Sequence, residues 1–97
     1  MLRISVTDNT NSSIVKLEGK IVGPWVEELR TCWSSLALSL GSRALCLDLR
    51  GVSFMDAKGK ELLREIYQKN SARFLADTPL TQYFAEMAMQ RPGTSEG

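Results

Sequence analysis

Hydrophobic and polar residues alternate near the N-terminus of the chain. Leu2, Ile4 and Val6 alternate with polar residues, which predicts a strand with one buried face. Turn-forming polar residues at 8–11 separate this strand from a second alternating segment, residues 14–21. The two strands are therefore predicted to form an N-terminal hairpin.

A helical period follows the hairpin. Gly23 and Pro24 are expected to end the second strand and begin a helix, because proline at the first helical position gives up an amide that has no partner there. Apolar residues then recur every three or four positions and predict one buried stripe: Val26, Leu29, Trp33, Leu36 and Leu40. Gly41 is placed to end this helix in a left-handed conformation.

The middle of the chain reads as a strand, a tight loop and a second helix. Residues 44–49 are apolar at nearly every position, which predicts a central strand covered on both faces. After the loop, Asp56 is expected to cap the second helix. Gly59 shares the apolar face of that helix with three aliphatic residues, and its missing side chain would let the helix lie close to the sheet: Leu62, Leu63 and Ile66.

The last elements are a short fourth strand at residues 72–76 and a third helix. Thr78 is expected to cap that helix and Pro79 to open it, with four residues turned inward: Leu80, Tyr83, Phe84 and Met87. The order of elements predicts an α/β fold in which helices pack against a mixed sheet of about four strands. We expect one domain over residues 1–90 and a disordered tail over 91–97, which lacks apolar residues.

Composition narrows the function classes. The chain has 97 residues, with 12 basic and 11 acidic side chains and a net charge of +1, so charge gives no reason to expect a nucleic-acid partner. No segment approaches the roughly 20 apolar residues of a membrane span, and no signal peptide is recognisable. We therefore expect a cytoplasmic protein that does not bind membranes. Its two cysteines are predicted to be free thiols.

Residues that carry chemistry are few. The chain has no histidine, so the common nucleophile–base pairs cannot form, and two separate cysteines make no zinc site. Asp48 and Asp56 flank one loop, but a strand end and a helix cap explain them better than a catalytic pair. The sequence therefore predicts a non-enzyme without a cofactor or metal site.

The segment Asp56-Ala57-Lys58-Gly59 resembles the signature of the STAS (anti-sigma-factor antagonist) family, in which Asp is followed by a phosphorylatable Ser, a Ser or Thr, and Gly. Residues 15–19 are similar to the second strand of that family, residues 78–79 are similar to the start of its third helix, and the resemblance runs over residues 2–89. Family members usually add a final strand and helix after this point, and no such elements are predicted in this sequence. We therefore expect the sheet edge to be exposed, or covered by a partner or a second copy.

The resemblance implies a non-catalytic regulatory module that binds a protein partner, such as an anti-sigma factor or a kinase-like regulator. The implied contact surface is the loop and the start of the second helix: Ser53, Phe54, Met55, Asp56, Ala57, Lys58, Gly59 and Lys60. Because Ala57 stands where the family has its phosphoserine, binding is expected to be constitutive or controlled by other means.

Alternatives remain open for several of these residues. Lys58 and Lys60 lie at the positive end of a helix, either as tolerated surface charges or as part of an anion or nucleotide site. The second reading would make the chain a small-molecule sensor module. Trp25 is either a residue at the edge of the core or an exposed anchor in a secondary interface. Phe54 and Met55 are either packing or contact residues.

Overall fold

Strands and helices follow one another in the predicted order. The computed structural model describes residues 2–89. Its elements are β1 (Leu2–Asp8), β2 (Ser12–Ile21), α1 (Pro24–Leu40), β3 (Ala44–Met55), α2 (Ala57–Asn70), β4 (Arg73–Leu75) and α3 (Pro79–Met89). The predicted α/β fold is confirmed, whereas the predicted disordered tail, residues 91–97, lies outside the described residues.

The four strands form one mixed sheet in the order β1-β2-β3-β4. β1 and β2 are antiparallel, as the predicted hairpin requires, and β3 is parallel to both β2 and β4. The register of β1 on β2 runs without a break, whereas β2 and β3 shift register twice, between Lys16 and Glu18 and between Gly19 and Lys20. These two irregularities lie in the half of the sheet that leads to the start of α2.

The hydrophobic core lies on one face of the sheet. All five residues of the predicted α1 stripe are buried there, and they join the apolar residues of α2 and the inward residues of the central strands. Val15 and Leu17 of β2 and Leu47 of β3 each expose 3% or less of their surface. The single amphipathic stripe of each helix is thus satisfied by the same sheet face.

The prediction that β3 is covered on both faces is wrong. Alternate residues of β2 and β3 point away from the core, where Lys16 and Arg50 are exposed and Cys46 is half-buried. Asp48 is buried on this open face and pairs with Arg50, with 2.9 Å between Nη2 of Arg50 and Oδ2 of Asp48. Ala44, which is exposed, and Cys46, which is half-buried, are apolar residue types on this open face, and they made the strand read as covered on both sides.

The loop predicted after β3 is also wrong, because β3 continues to Met55. Its second half stays paired with β2, with Gly19 opposite Val52 and Ile21 opposite Met55. Val52 and Met55 are buried in this stretch. The register shifts admit residues that break the alternation of a regular strand, so the sequence pattern resembles a loop while the backbone remains extended.

The helix ends follow the predicted caps, with one difference at Gly41. Thr78 caps α3, since its Oγ1 accepts from the Thr81 amide at 3.1 Å. Gly41 ends α1 with φ 62° and ψ −130°, a positive φ that suits glycine but lies outside the predicted left-handed helical region. α2 ends at Asn70, and the following residue, Ser71, takes the left-handed helical conformation. Asn70 accepts a 2.7 Å hydrogen bond from Nε1 of Trp33, which ties α2 to α1.

Candidate functional site

Asp56 joins the starts of two helices. Its Oδ1 accepts from the Gly59 amide at 2.9 Å and caps α2, as predicted. Its Oδ2 accepts from the Gly23 amide at 3.1 Å, at the start of α1, which has no side-chain cap of its own. One carboxylate therefore fixes the starts of α1 and α2 together, at the end of the sheet where β2 and β3 finish.

These two bonds lower the pKa of Asp56. The Gly59 amide is the larger cause and the Gly23 amide the second, and both stabilise the ionised carboxylate. The negative charge also stands at the positive ends of two helices, where it is favoured. The helix starts therefore already hold an anion, supplied by the chain itself.

Gly59 brings α2 against the sheet. A Cβ added at this residue would lie 2.7 Å from the carbonyl oxygen of Ile21 and 3.3 Å from Cβ of Met55. Met55 and Gly59 are both buried. Of the eight predicted contact residues these two therefore support the helix start from beneath, and Met55 is a packing residue.

The other predicted residues surround this support. Ser53, Phe54, Ala57 and Lys58 are exposed, and we call these four the helix-start surface. Phe54 exposes 51% of its surface, a large fraction for an aromatic residue. The Oγ of Ser53 lies 3.4 Å from the carbonyl oxygen of Gly19, to which it donates.

Lys60 differs from Lys58 because it has an aromatic partner. Its Nζ lies 5.5 Å from the ring centroid of Tyr83 on α3, a cation–π arrangement. Tyr83 and Leu80 are 46% and 47% exposed, so their predicted inward orientation is wrong. Thr81 is buried in their place.

The orientation of α3 follows from the hydrogen bonds at its start. The Oγ1 of Thr81 accepts from the amides of Asp77 and Thr78, at 3.1 and 3.0 Å. These bonds satisfy a buried hydroxyl and turn the neighbouring apolar side chains outward. In the sequence, the one signal for the surface positions of Tyr83 and Leu80 is a threonine three residues after a capping threonine.

Trp25 is half-buried and packs against the core. It lies two residues after Gly23, whose amide binds Asp56. It is therefore at the core edge, close in the chain to the contact that joins the two helix starts.

Asp48 and Asp56 do not form a carboxylate pair. Asp56 is held by amides at the helix starts, whereas Asp48 lies on the open sheet face and accepts from the amide, Nε and Nη2 of Arg50 at 3.1, 3.0 and 2.9 Å. The Arg50 side chain lowers the pKa of Asp48. The Asp48–Arg50 ion pair borders an open polar cavity of about 300 Å³, lined by Lys16, Glu18, Asp48, Arg50, Gly51 and Asp77.

Neither a metal site nor a membrane span is found within residues 2–89. No group of three or more potential ligand side chains there is arranged to hold a metal ion. None of the helices in this range is long and apolar enough to cross a membrane.

Comparison of the structure with solved structures identifies the fold. An anti-sigma factor antagonist from Mycobacterium paratuberculosis superposes with a TM-score of 0.76 and 23% identity, over 86% of this chain and 74% of that one. The chain has the STAS fold. SpoIIAA in its unphosphorylated form, also an anti-sigma factor antagonist, matches with a TM-score of 0.66 and 17% identity, over 87% of this chain and 82% of that one.

A third STAS-fold structure also matches most of this chain. The STAS domain of an antisigma-factor antagonist from Rhodobacter sphaeroides matches with a TM-score of 0.61 and 11% identity, over 87% of this chain and 90% of that one. At the level of sequence, no protein-family model and no curated protein matches the chain. The likeness is therefore one of fold, at sequence identities too low to carry residue roles across.

Proposed function

We propose that this STAS-fold chain is a non-catalytic regulatory module that binds a protein partner through the helix-start surface. The observation that carries the proposal is the contrast around Asp56. Buried Gly59 and the doubly bonded carboxylate hold the start of α2 rigidly, while Phe54 and Lys58 beside it remain exposed. An exposed aromatic residue on a rigid support is typical of a protein contact, because aromatic side chains are enriched at interfaces.

The proposed partner is an anti-sigma factor or a related kinase-like regulator. Support comes from the structural neighbours, three of which are anti-sigma factor antagonists that match most of this chain. Lys60 and Tyr83 extend the same surface onto α3, and Trp25 is a candidate for its margin on α1. A cytoplasmic location agrees with such a partner and stays a prediction.

Regulation by phosphorylation at the start of α2 is not part of the proposal. The first two residues of the helix are Ala57 and Lys58, neither of which carries a hydroxyl. Ser53 is the nearest exposed hydroxyl within the helix-start surface. We propose that binding is constitutive unless Ser53 is modified.

The alternative function, an anion or nucleotide sensor, has less support. A phosphate at the start of α2 would meet the Asp56 carboxylate, which already uses the Gly59 amide, and Lys60 is engaged with Tyr83. Lys58 alone remains as an exposed cation in the first turn. ATP is nevertheless a suitable second probe in the binding experiment.

The test is a calorimetric titration with anti-sigma factors from the source organism. Lys58→Glu and Phe54→Ala should each weaken binding at least tenfold, which corresponds to about 1.4 kcal/mol. Lys16→Glu is the matched control, since Lys16 is an exposed lysine on the open sheet face. Equal affinities for wild type and both site variants, with Lys16→Glu weakened, would move the site to the open face. Binding of ATP that Lys58→Glu abolishes would favour the sensor.

A further inference from the structure

The outer edge of β1 is a second surface with a defined geometry. β1 is an end strand of the sheet, and it pairs with β2 along its whole length, from Leu2 opposite Gly19 to Asp8 opposite Ser13. Within residues 2–89 no strand pairs with its other side. Backbone donors and acceptors on that side are therefore available to another chain.

The hairpin bond determines which residues turn their backbone outward. The Asn9 amide donates to the Ser12 carbonyl at 2.7 Å, so this pair is a hydrogen-bonded one. Hydrogen-bonded and non-hydrogen-bonded pairs alternate along an antiparallel ladder, so the residues that bond to β2 are Arg3, Ser5 and Thr7. The residues whose amides and carbonyls face outward are Leu2, Ile4, Val6 and Asp8.

This edge has few of the features that usually block strand addition, since its two charged residues, Arg3 and Asp8, stand near its ends. β1 contains no proline and no lysine, and its register on β2 has no bulge. The opposite edge strand, β4, is only three residues long. Val6 adds an apolar side chain on the core side of β1 that is 42% exposed, next to the half-buried Ile4.

We propose that two copies of the chain pair through β1, antiparallel, about a two-fold axis at Ser5. A two-fold axis perpendicular to the sheet keeps both cores on the same side. Odd-numbered residues of one copy must therefore lie opposite odd-numbered residues of the other, and even-numbered residues opposite even-numbered ones. With the axis at Ser5, Ile4 lies opposite Val6 and Leu2 lies opposite Asp8.

This register is favoured over its neighbours for two reasons. It is the one that engages all four outward-facing residues of each copy, which gives about eight backbone hydrogen bonds in a regular ladder. It also places the aliphatic side chains of Ile4 and Val6 against each other across the interface, where they cover the exposed part of Val6. The result is a continuous eight-stranded sheet with the helices of both copies on one side. The inference does not depend on the proposed function.

A cysteine placed on the axis tests the register. Ser5 would face Ser5 of the other copy as a non-hydrogen-bonded pair with Cα atoms about 4.5 Å apart, within the range of a disulfide. The two copies of Thr7 would be about 13 Å apart along the strands. Under mild oxidation, Ser5→Cys should form a covalent dimer that a reductant cleaves, whereas Thr7→Cys and the wild type, with its own two cysteines, should not.

A second experiment tests the interface without cross-linking. Sedimentation equilibrium from about 10 µM to 1 mM should show a dimer of the wild type that grows with concentration, because pairing along one edge makes a small interface. Val6→Lys should be monomeric with an unchanged circular dichroism spectrum. Leu38→Lys is the matched control, since Leu38 is an apolar residue of α1 with 90% exposure, and it should dimerise like the wild type.

Three results would overturn the proposal. The first is a wild-type chain that stays monomeric over the whole concentration range. The second is Thr7→Cys cross-linking as well as or better than Ser5→Cys, which would exclude this register. The third is dimerisation that Leu38→Lys abolishes and Val6→Lys leaves intact, which would place the interface on α1.

Discussion

Replacement of Gly59 by alanine tests the packing that positions the helix-start surface. The added methyl group would lie 2.7 Å from the carbonyl oxygen of Ile21, 3.1 Å from its Cγ2 and 3.3 Å from Cβ of Met55. The first contact is to backbone, so relief requires α2 or the end of β2 to move by several tenths of an ångström. Overpacking of this kind costs about 1–3 kcal/mol.

Helix propensity acts in the opposite direction. Alanine is favoured over glycine in a helix interior by about 1 kcal/mol, and less near the first turn. We therefore expect Gly59→Ala to lower the free energy of unfolding by about 1–2 kcal/mol, or the melting temperature by roughly 4–8 °C for each kcal/mol in a domain of this size.

The assay is urea denaturation followed by tryptophan fluorescence, with the slope of the transition fitted for each variant. Ser35→Ala is the matched control, because Ser35 is an exposed position within α1 where a gain in propensity meets no steric cost. An unfolding free energy for Gly59→Ala at or above that of the wild type would refute the close approach. A loss in Gly59→Ala together with weaker partner binding would connect the packing to the surface it supports.

Three further predictions follow from the same region and its supports. Asp56→Ala should destabilise the fold by about 0.5–2 kcal/mol, the usual cost of losing an N-cap. Because the pKa of Asp56 is lowered in the folded state, its contribution is present above the ordinary value of 3.8 and is lost as the pH falls through the lower folded value, so urea titrations of both proteins should converge in acid. Trp33→Phe should cost about 1 kcal/mol in the same titrations, since it removes the 2.7 Å bond to Asn70, whereas an unchanged stability would show that this bond adds nothing. After incubation with a protein kinase, phosphopeptide mapping should find residues 56–59 unmodified. A phosphate on Ser53 that weakens partner binding would show that phosphorylation of the neighbouring strand controls binding.

The candidate site was predictable where it depends on neighbours in the sequence. Asp56 as a cap and Gly59 as a point of close approach both follow from local pattern, and the structure confirms them. The bond from the Gly23 amide to Asp56 spans 33 residues and has no local signal. The roles of the predicted contact residues in binding stay a prediction.

The sequence by itself determined the order of elements, the hairpin and the buried stripe of α1. These features depend on residues a few positions apart, and side-chain periodicity and capping residues report them directly. It also determined the start of α3 through Thr78 and Pro79.

Only the tertiary structure decided which face of the sheet the helices cover and how far β3 extends. An apolar run is compatible with one covered face or two, and the register shifts opposite β2 depend on a partner strand distant in the sequence. The orientation of α3 was decided in the same way, because the hydrogen bonds of Thr81 bury a hydroxyl where the hydrophobic pattern placed Leu80 and Tyr83. Burial is a property of the assembled layers, so a pattern that is local in the chain limits the choices but does not select among them.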